Sequence, residues 1–185
     1  MFENSIKLCS LASAVLVAQA IISIASADPL LDVWSSLSVA DSTQLGRMNR
    51  YSPASDWSSN KVFSGVMGTS SSYRFKTFTV PAATIGSRRF IQISCDDTNA
   101  AVFVAAYDGS YTPPASSTNF LGDAAASGNP YGNMVFFQVV VPSGHDLVLV
   151  VSEVNPAGGI GKPFRLLVEG FVDTYYNDTF APRFV

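Results

Sequence analysis

The sequence predicts an all-β protein, a single jelly-roll-like antiparallel β-sandwich, and three observations carry that prediction. Apolar and polar residues alternate with a period of two along most segments. Clusters of Pro, Gly, Asn and Asp separate short runs rich in Val, Phe, Tyr and Thr. No stretch carries a convincing amphipathic helical pattern. Seven or eight such strands bury their apolar faces by packing as two sheets.

The first segment is of a different kind. Lys7 precedes an apolar run from Leu8 to Ile24, and Ala25-Ser26-Ala27 follows with small residues at the cleavage positions. A charged end, an apolar middle and an A-x-A exit are the layout of a secretory signal peptide over residues 1–27, and the mature chain then begins at Asp28. The run is about 17 residues long, so a retained membrane anchor is the competing reading. Ser10, Ser13, Gln19 and Ser23 dilute it and favour cleavage. Cys9 lies at the start of the run rather than behind it, the wrong place for a lipid-modified cysteine.

Along the mature chain, Leu31, Val33, Leu37 and Val39 alternate with mostly polar neighbours and predict an extended segment. It is placed at 28–40, as an extension ahead of a domain spanning 41–172. Residues 46–60 read as loop, through Ser52-Pro53 and a cluster of Ser, Asp and Asn. A short strand is expected at Lys61–Val66, and a turn over Gly68–Ser72. Tyr73–Val80 is aromatic and β-branched and stops at Pro81, which has no N–H for a ladder. Phe90–Cys95 and Ala101–Tyr107 flank the turn-forming Asp96-Asp97-Thr98-Asn99 and predict a hairpin.

The long stretch from Asp108 to Tyr131 holds Gly109, Pro113, Pro114, Gly122, Gly128 and Pro130, and reads as a functional loop or a crossover between sheets. Met134–Val141 ends at Pro142-Ser143-Gly144. Leu147–Val154 is almost continuously apolar, as a strand covered on both faces should be. Phe164–Val172 alternates, with Phe164, Leu166 and Val168 on one side. An outer-membrane barrel is the competing architecture, but its strands need about 9–11 residues and evenly spaced tight turns. The long irregular connections argue against it.

Removing 27 of 185 residues leaves 158, enough for one domain with a well-buried core. The net charge of −3 argues against nucleic acid, which needs a basic stripe. Only 14% of residues are charged, against about 25% in a typical soluble domain. Such scarcity fits a subunit that buries much of its outside against neighbours. Cys95 alone remains after Cys9 leaves, so the mature chain has no internal disulfide, and a buried, inert thiol is expected.

Several segments occur in an order that resembles a known secreted module. They are Thr43-Gln44-Leu45-Gly46-Arg47-Met48-Asn49-Arg50, Ala105-Ala106-Tyr107-Asp108-Gly109-Ser110-Tyr111-Thr112-Pro113, Asn119-Phe120-Leu121-Gly122-Asp123 and Val139-Val140-Val141-Pro142-Ser143-Gly144, leading into Val150-Val151-Ser152-Glu153-Val154-Asn155-Pro156. The pattern, over roughly Asp41 to Gly170, resembles the pre-peptidase C-terminal and CUB-like β-sandwich modules of secreted bacterial proteins. That resemblance implies a non-catalytic accessory role in adhesion, binding or secretion. CUB-like modules often hold calcium, which adds to the interest of the loop carboxylates. Many relatives carry cysteines that pair, and with Cys95 alone no such bridge carries over.

Candidate sites are few. His145, in Pro142-Ser143-Gly144-His145-Asp146, is the only histidine. Neighbours in a tight turn, Ser143 and Asp146, rarely assemble into a triad, and no G-x-S-x-G elbow is present. Asp96, Asp97, Asp108, Asp123 and Glu153 lie at strand ends or in loops. Of these, Asp96, Asp97, Asp108 and Asp123 are the candidate calcium ligands, since calcium collects several carboxylate and carbonyl oxygens. Trp57, Tyr107, Tyr111, Phe120 and Tyr131 offer aromatic surface for a carbohydrate, Trp57 and Tyr111 foremost, or else serve packing.

Both termini carry apolar strand-like segments: Leu31, Val33, Leu37 and Val39 at one end, and Tyr175, Tyr176, Phe180 and Phe184 in the tail 173–185 at the other. Either self-packs or joins a neighbour's sheet edge. Asn177-Asp178-Thr179 is also a formal glycosylation sequon. The expectation is a non-enzymatic protein, secreted or at the cell surface, that self-associates by strand addition as a filament or surface-layer subunit. The alternative is a secreted polysaccharide- or ligand-binding module, with calcium as its one candidate cofactor.

Overall fold

Strand-forming runs and the turns between them give the order β1 (Pro29–Ser36), β2 (Thr43–Met48), β3 (Val66–Val80), α1 (Ala82–Ile85), β4 (Phe90–Asp96), β5 (Val102–Asp108), β6 (Phe120–Asp123), β7 (Val135–Val140), β8 (Leu147–Glu153) and β9 (Pro163–Phe171). This is a computed structural model, which describes residues 29–58, 61–115, 117–128 and 134–172. All pairings between these strands are antiparallel. One sheet runs β1-β9-β4-β7 and the other β2-β3-β8-β5-β6. With β2 set aside, the two sheets read β1-β9-β4-β7 and β3-β8-β5-β6, the strand order of a jelly roll, in which only β5 and β6 follow one another within one sheet. The all-β sandwich read from the sequence is the fold.

Several local expectations are corrected. Phe90–Cys95 and Ala101–Tyr107 form no hairpin: β4 pairs with β7 and β9, and β5 pairs with β6 and β8 in the opposite sheet. Asp97 carries the chain across, its carboxylate accepting the N–H groups of Asn99, Ala101 and Val102. Lys61–Val66 is not a strand; β3 begins at Val66 and runs through the expected Gly68–Ser72 turn. Its first half pairs only with β2, so its Ser-rich residues face water rather than a core.

Residues 43–48 form a strand although alternation is lost there, because Gly46 (φ +76°) makes a bulge between Leu45 and Arg47. A Cβ at Gly46 would sit 2.6 Å from Val66 Cγ1. The connection from 108 to 131 likewise contains β6, four residues long. Finally, the segment at 28–40 is no appendage. β1 is a strand of the four-stranded sheet, with Val33 opposite Leu166 and Leu31 opposite Val168, so the sandwich takes in this segment.

Two cores result. Between the sheets, Ile91, Ile93, Val104, Leu149, Val151, Phe164, Leu166 and Val168 are fully buried, with Leu30, Leu31 and Val33 packed against them. On the outer face of the five-stranded sheet, Phe75, Phe103, Ala105, Tyr107, Val148 and Val150 form a second cluster, covered by Phe63, Tyr111 and Ala115 from the loops. β8 is therefore buried along its whole length, as its apolar run predicted.

Candidate functional site

The positions singled out in the sequence do not converge. β5 is seven residues long, which sets its two ends about 20 Å apart at the rise of an extended strand. Asp97 lies before that strand and Asp108 closes it, with His145 Nδ1 at 2.7 Å from Asp108 Oδ1. Asp123 sits opposite Ala105 in mid-strand, paired with Lys61. Asp96 faces Arg165 across the four-stranded sheet. The four expected calcium ligands are thus dispersed, and among the described residues no three His, Cys, Asp or Glu side chains could share a metal ion. Glu153 serves a turn: its buried carboxylate accepts the N–H groups of Arg74 (2.8 Å), Ala157 (3.2 Å) and Gly159 (3.4 Å).

His145 is half-exposed and held by Asp108, while Asp146 Oδ1 accepts the Ala82 N–H at 2.7 Å. Among the described residues Ser143 makes no hydrogen bond to the imidazole, whose partner is Asp108. Trp57 and Tyr111 are half-buried, each packed edge-on or tilted against neighbouring rings. Trp57 meets Phe90 and Phe171 edge-on at 5.9 and 5.6 Å and donates its indole N–H to Ile91 O at 3.0 Å. Tyr111 packs on Phe75 and Tyr107 and hydrogen-bonds Gln44. Burial pushes its hydroxyl up to about 12, against the opposing pull of Gln44.

One side of the sandwich is sealed. Ser55 N–H donates to Asp123 O at 3.0 Å, and Ser55 O accepts from Gln138 N–H at 2.9 Å. Asp123 N–H donates to Ser55 Oγ at 2.8 Å. The segment around Ser55 thereby bridges edge strand β6 of one sheet and edge strand β7 of the other. Lys61 closes the loop, its ammonium 2.6 Å from both Asp123 Oδ1 and Tyr51 O. A depression of about 260 Å³ lies between residues 51–56 and Lys61–Val62.

The opposite side is different. β1 pairs with β9 alone, and no described residue forms a ladder along its other edge. The chain leaves β9 at that same end, since Glu169 lies opposite Pro29. Of the expected assembly residues, Leu31, Val33 and Leu37 face inward, and Leu37 is fully buried, whereas Val39 is exposed. Tyr175, Tyr176, Phe180 and Phe184 lie outside the described residues, as does the expected signal peptide. Among the described residues no helix is long and apolar enough to cross a membrane.

The outer face of the four-stranded sheet carries residues that the sequence reading missed. Cross-strand register sets Trp34 beside Arg165 and Asp96, and Leu167 beside Ser94 and Phe136. It also sets Glu169 beside Gln92 and Gln138. Alternation assigns each of these side chains to the outward set, of which Trp34 and Phe136 are exposed and Ser94 and Gln138 buried. No family model, no curated protein and no solved structure matches the chain.

Proposed function

We propose that this protein is exported and works without catalysis outside the cell, as a β-sandwich subunit that self-associates by strand addition. The observation that carries this reading is the asymmetry of its edges. Ser55 covers β6 and β7, a bulge shapes β2, and among the described residues none pairs along the second edge of the eight-residue β1. Open edges of that length are ordinarily blocked, because they template pairing with another chain. The 13 residues after Val172 start beside this edge and carry four aromatic side chains, and at about 3.3 Å each they span up to roughly 43 Å. A tail passed from one copy to the β1 edge of the next propagates, while reciprocal exchange closes a dimer.

The signal-peptide layout, the scarcity of charge and the resemblance to secreted accessory modules support the same reading. The test is light scattering and electron microscopy of the protein recovered after export, with and without residues 173–185. Oligomers or filaments that revert to monomer on truncation are expected. A monomer at high concentration, indifferent to truncation, overturns the proposal.

A further inference from the structure

We infer that the outer face of the four-stranded sheet, where Trp34 and Phe136 are exposed, binds a neutral polysaccharide. Among the described residues, loops hide the outer face of the five-stranded sheet, whereas on the four-stranded sheet Trp57 sits on Phe90 and Phe171 at one end, and Ser94 and Gln138 are buried. The rest of this face presents two aromatic side chains to water, Trp34 (65% exposed) and Phe136 (40%). They stand on β1 and β7, three strand spacings apart, roughly 14 Å. That span exceeds one sugar ring and suits a chain of several.

The polar groups between them are already oriented. Gln138 Nε2 donates to Gln92 Oε1 at 3.1 Å, and Gln92 Nε2 lies 3.4 Å from Glu169 Oε2. Arg165 holds Asp32 through two contacts of 2.8 Å. A pyranose offers one C–H face, which packs on an aromatic ring, and a rim of hydroxyls that both donate and accept. Amides and carboxylates fixed in place beside exposed rings match that pair of demands at low ordering cost.

Charge selects the class. Among the described residues, register places Asp32, Asp96 and Glu169 on this face against Arg165, and the whole chain carries −3. Sulfated or uronic polymers would meet net repulsion, and a second copy docked face to face would set these carboxylates against their own kind. An uncharged polyhydroxylated chain meets neither obstacle.

The experiment is retention of the purified protein by cellulose, chitin and mannan, with alginate and dextran sulfate as anionic comparators, at low and high salt. Retention by at least one neutral polymer, insensitive to salt, is expected. Trp34→Ala and Phe136→Ala should each weaken it about tenfold, the scale of one lost stacking contact. Trp34→Phe should recover part of the loss, and Tyr51→Ala, an exposed ring off this face, should change nothing. Truncation at Val172 should leave retention per subunit intact, so this site and the assembly edge stand or fall separately. No retention by any neutral polymer, retention that survives the Trp34→Ala, Phe136→Ala double substitution, or tighter binding to the anionic polymers overturns the inference.

Discussion

Lys61 and Asp123, 62 positions apart, form an ion pair at 2.6 Å with side chains only 9% and 0% exposed. The pair anchors the loop that seals the β6–β7 side. It is not fully compensated. Asp123 Oδ1 has the ammonium and the Ala125 N–H, while Oδ2 finds no partner among the described residues, and neither does the nearby Tyr107 hydroxyl. Burial raises the Asp123 carboxyl above its usual range, against the lowering pull of Lys61 and of the Ala125 N–H.

Replacing Lys61 with Met should therefore cost about 3–5 kcal/mol at neutral pH, because it strands a buried carboxylate. The pH dependence has a definite sign. A folded-state value raised above the unfolded one favours the protonated native state, so the Asp123 contribution is full below the unfolded value of about 3.9 and is lost as pH rises through the folded value. The Lys61→Met deficit should accordingly shrink between pH 7 and pH 4, and Asp123→Asn in the same chain should recover much of it. Urea denaturation at the two pH values measures both. An equal deficit at pH 4 and pH 7 would show that the pair does not hold the loop.

Ser55 makes the same seam testable without charge. Its Oγ accepts the buried Asp123 N–H, and Ser55→Ala should cost about 1–3 kcal/mol by leaving that donor unpaired. Gly122 is the complementary probe, since a Cβ there would lie 2.6 Å from Ser55 Cβ and 2.8 Å from Val139 Cγ1. Gly122→Ala should lose a similar amount, about 1–3 kcal/mol, by overpacking. Hydrogen exchange of the Gln138 amide, which donates to Ser55 O, should accelerate in both variants more than exchange in β8. Uniform acceleration across the domain would mean that the seam is no local unit.

How much of this was legible in the chain depended on where the deciding contacts lie. Leu147–Val154 announced itself because a strand covered on both faces can spare no polar position. The false hairpin at residues 90–107 arose because Asp and Asn turn chemistry is the same for a hairpin and for a crossing between sheets. Only remote partners distinguish them, Arg165 opposite Asp96 and Glu153 opposite Val102. Thr43–Met48 was hidden by the Gly46 bulge, which breaks the period of two. Trp57 reads alike whether it packs or binds, and the exposure of Trp34 depends on which sheet the loops cover, a matter of remote contacts.

Glu153 shows how a buried carboxylate can mimic a functional one. Its three N–H donors come from β3 and from the turn after β8. Glu153→Gln keeps one acceptor oxygen and should be tolerated better than Glu153→Ala, which strands all three donors at about 1–3 kcal/mol for each that finds no water. Thermal unfolding with and without added calcium checks the reading. A calcium-dependent shift lost in both variants would make this group a metal ligand instead.

Cys95 should report on unfolding of the whole domain. It is 1% exposed in the core between the sheets, and burial, with the charges of Asp97 and Asp96, pushes its thiol far above the ordinary range. Reactivity belongs to the thiolate, so the native protein should resist iodoacetamide even at alkaline pH, and no disulfide between copies should form while it is folded. Labelling should then proceed only through opening of the domain, at a rate set by the unfolding equilibrium when closing outpaces alkylation. Lys61→Met and Ser55→Ala would accelerate it only as far as they lower global stability. Rapid labelling of the unperturbed protein would place Cys95 outside the core.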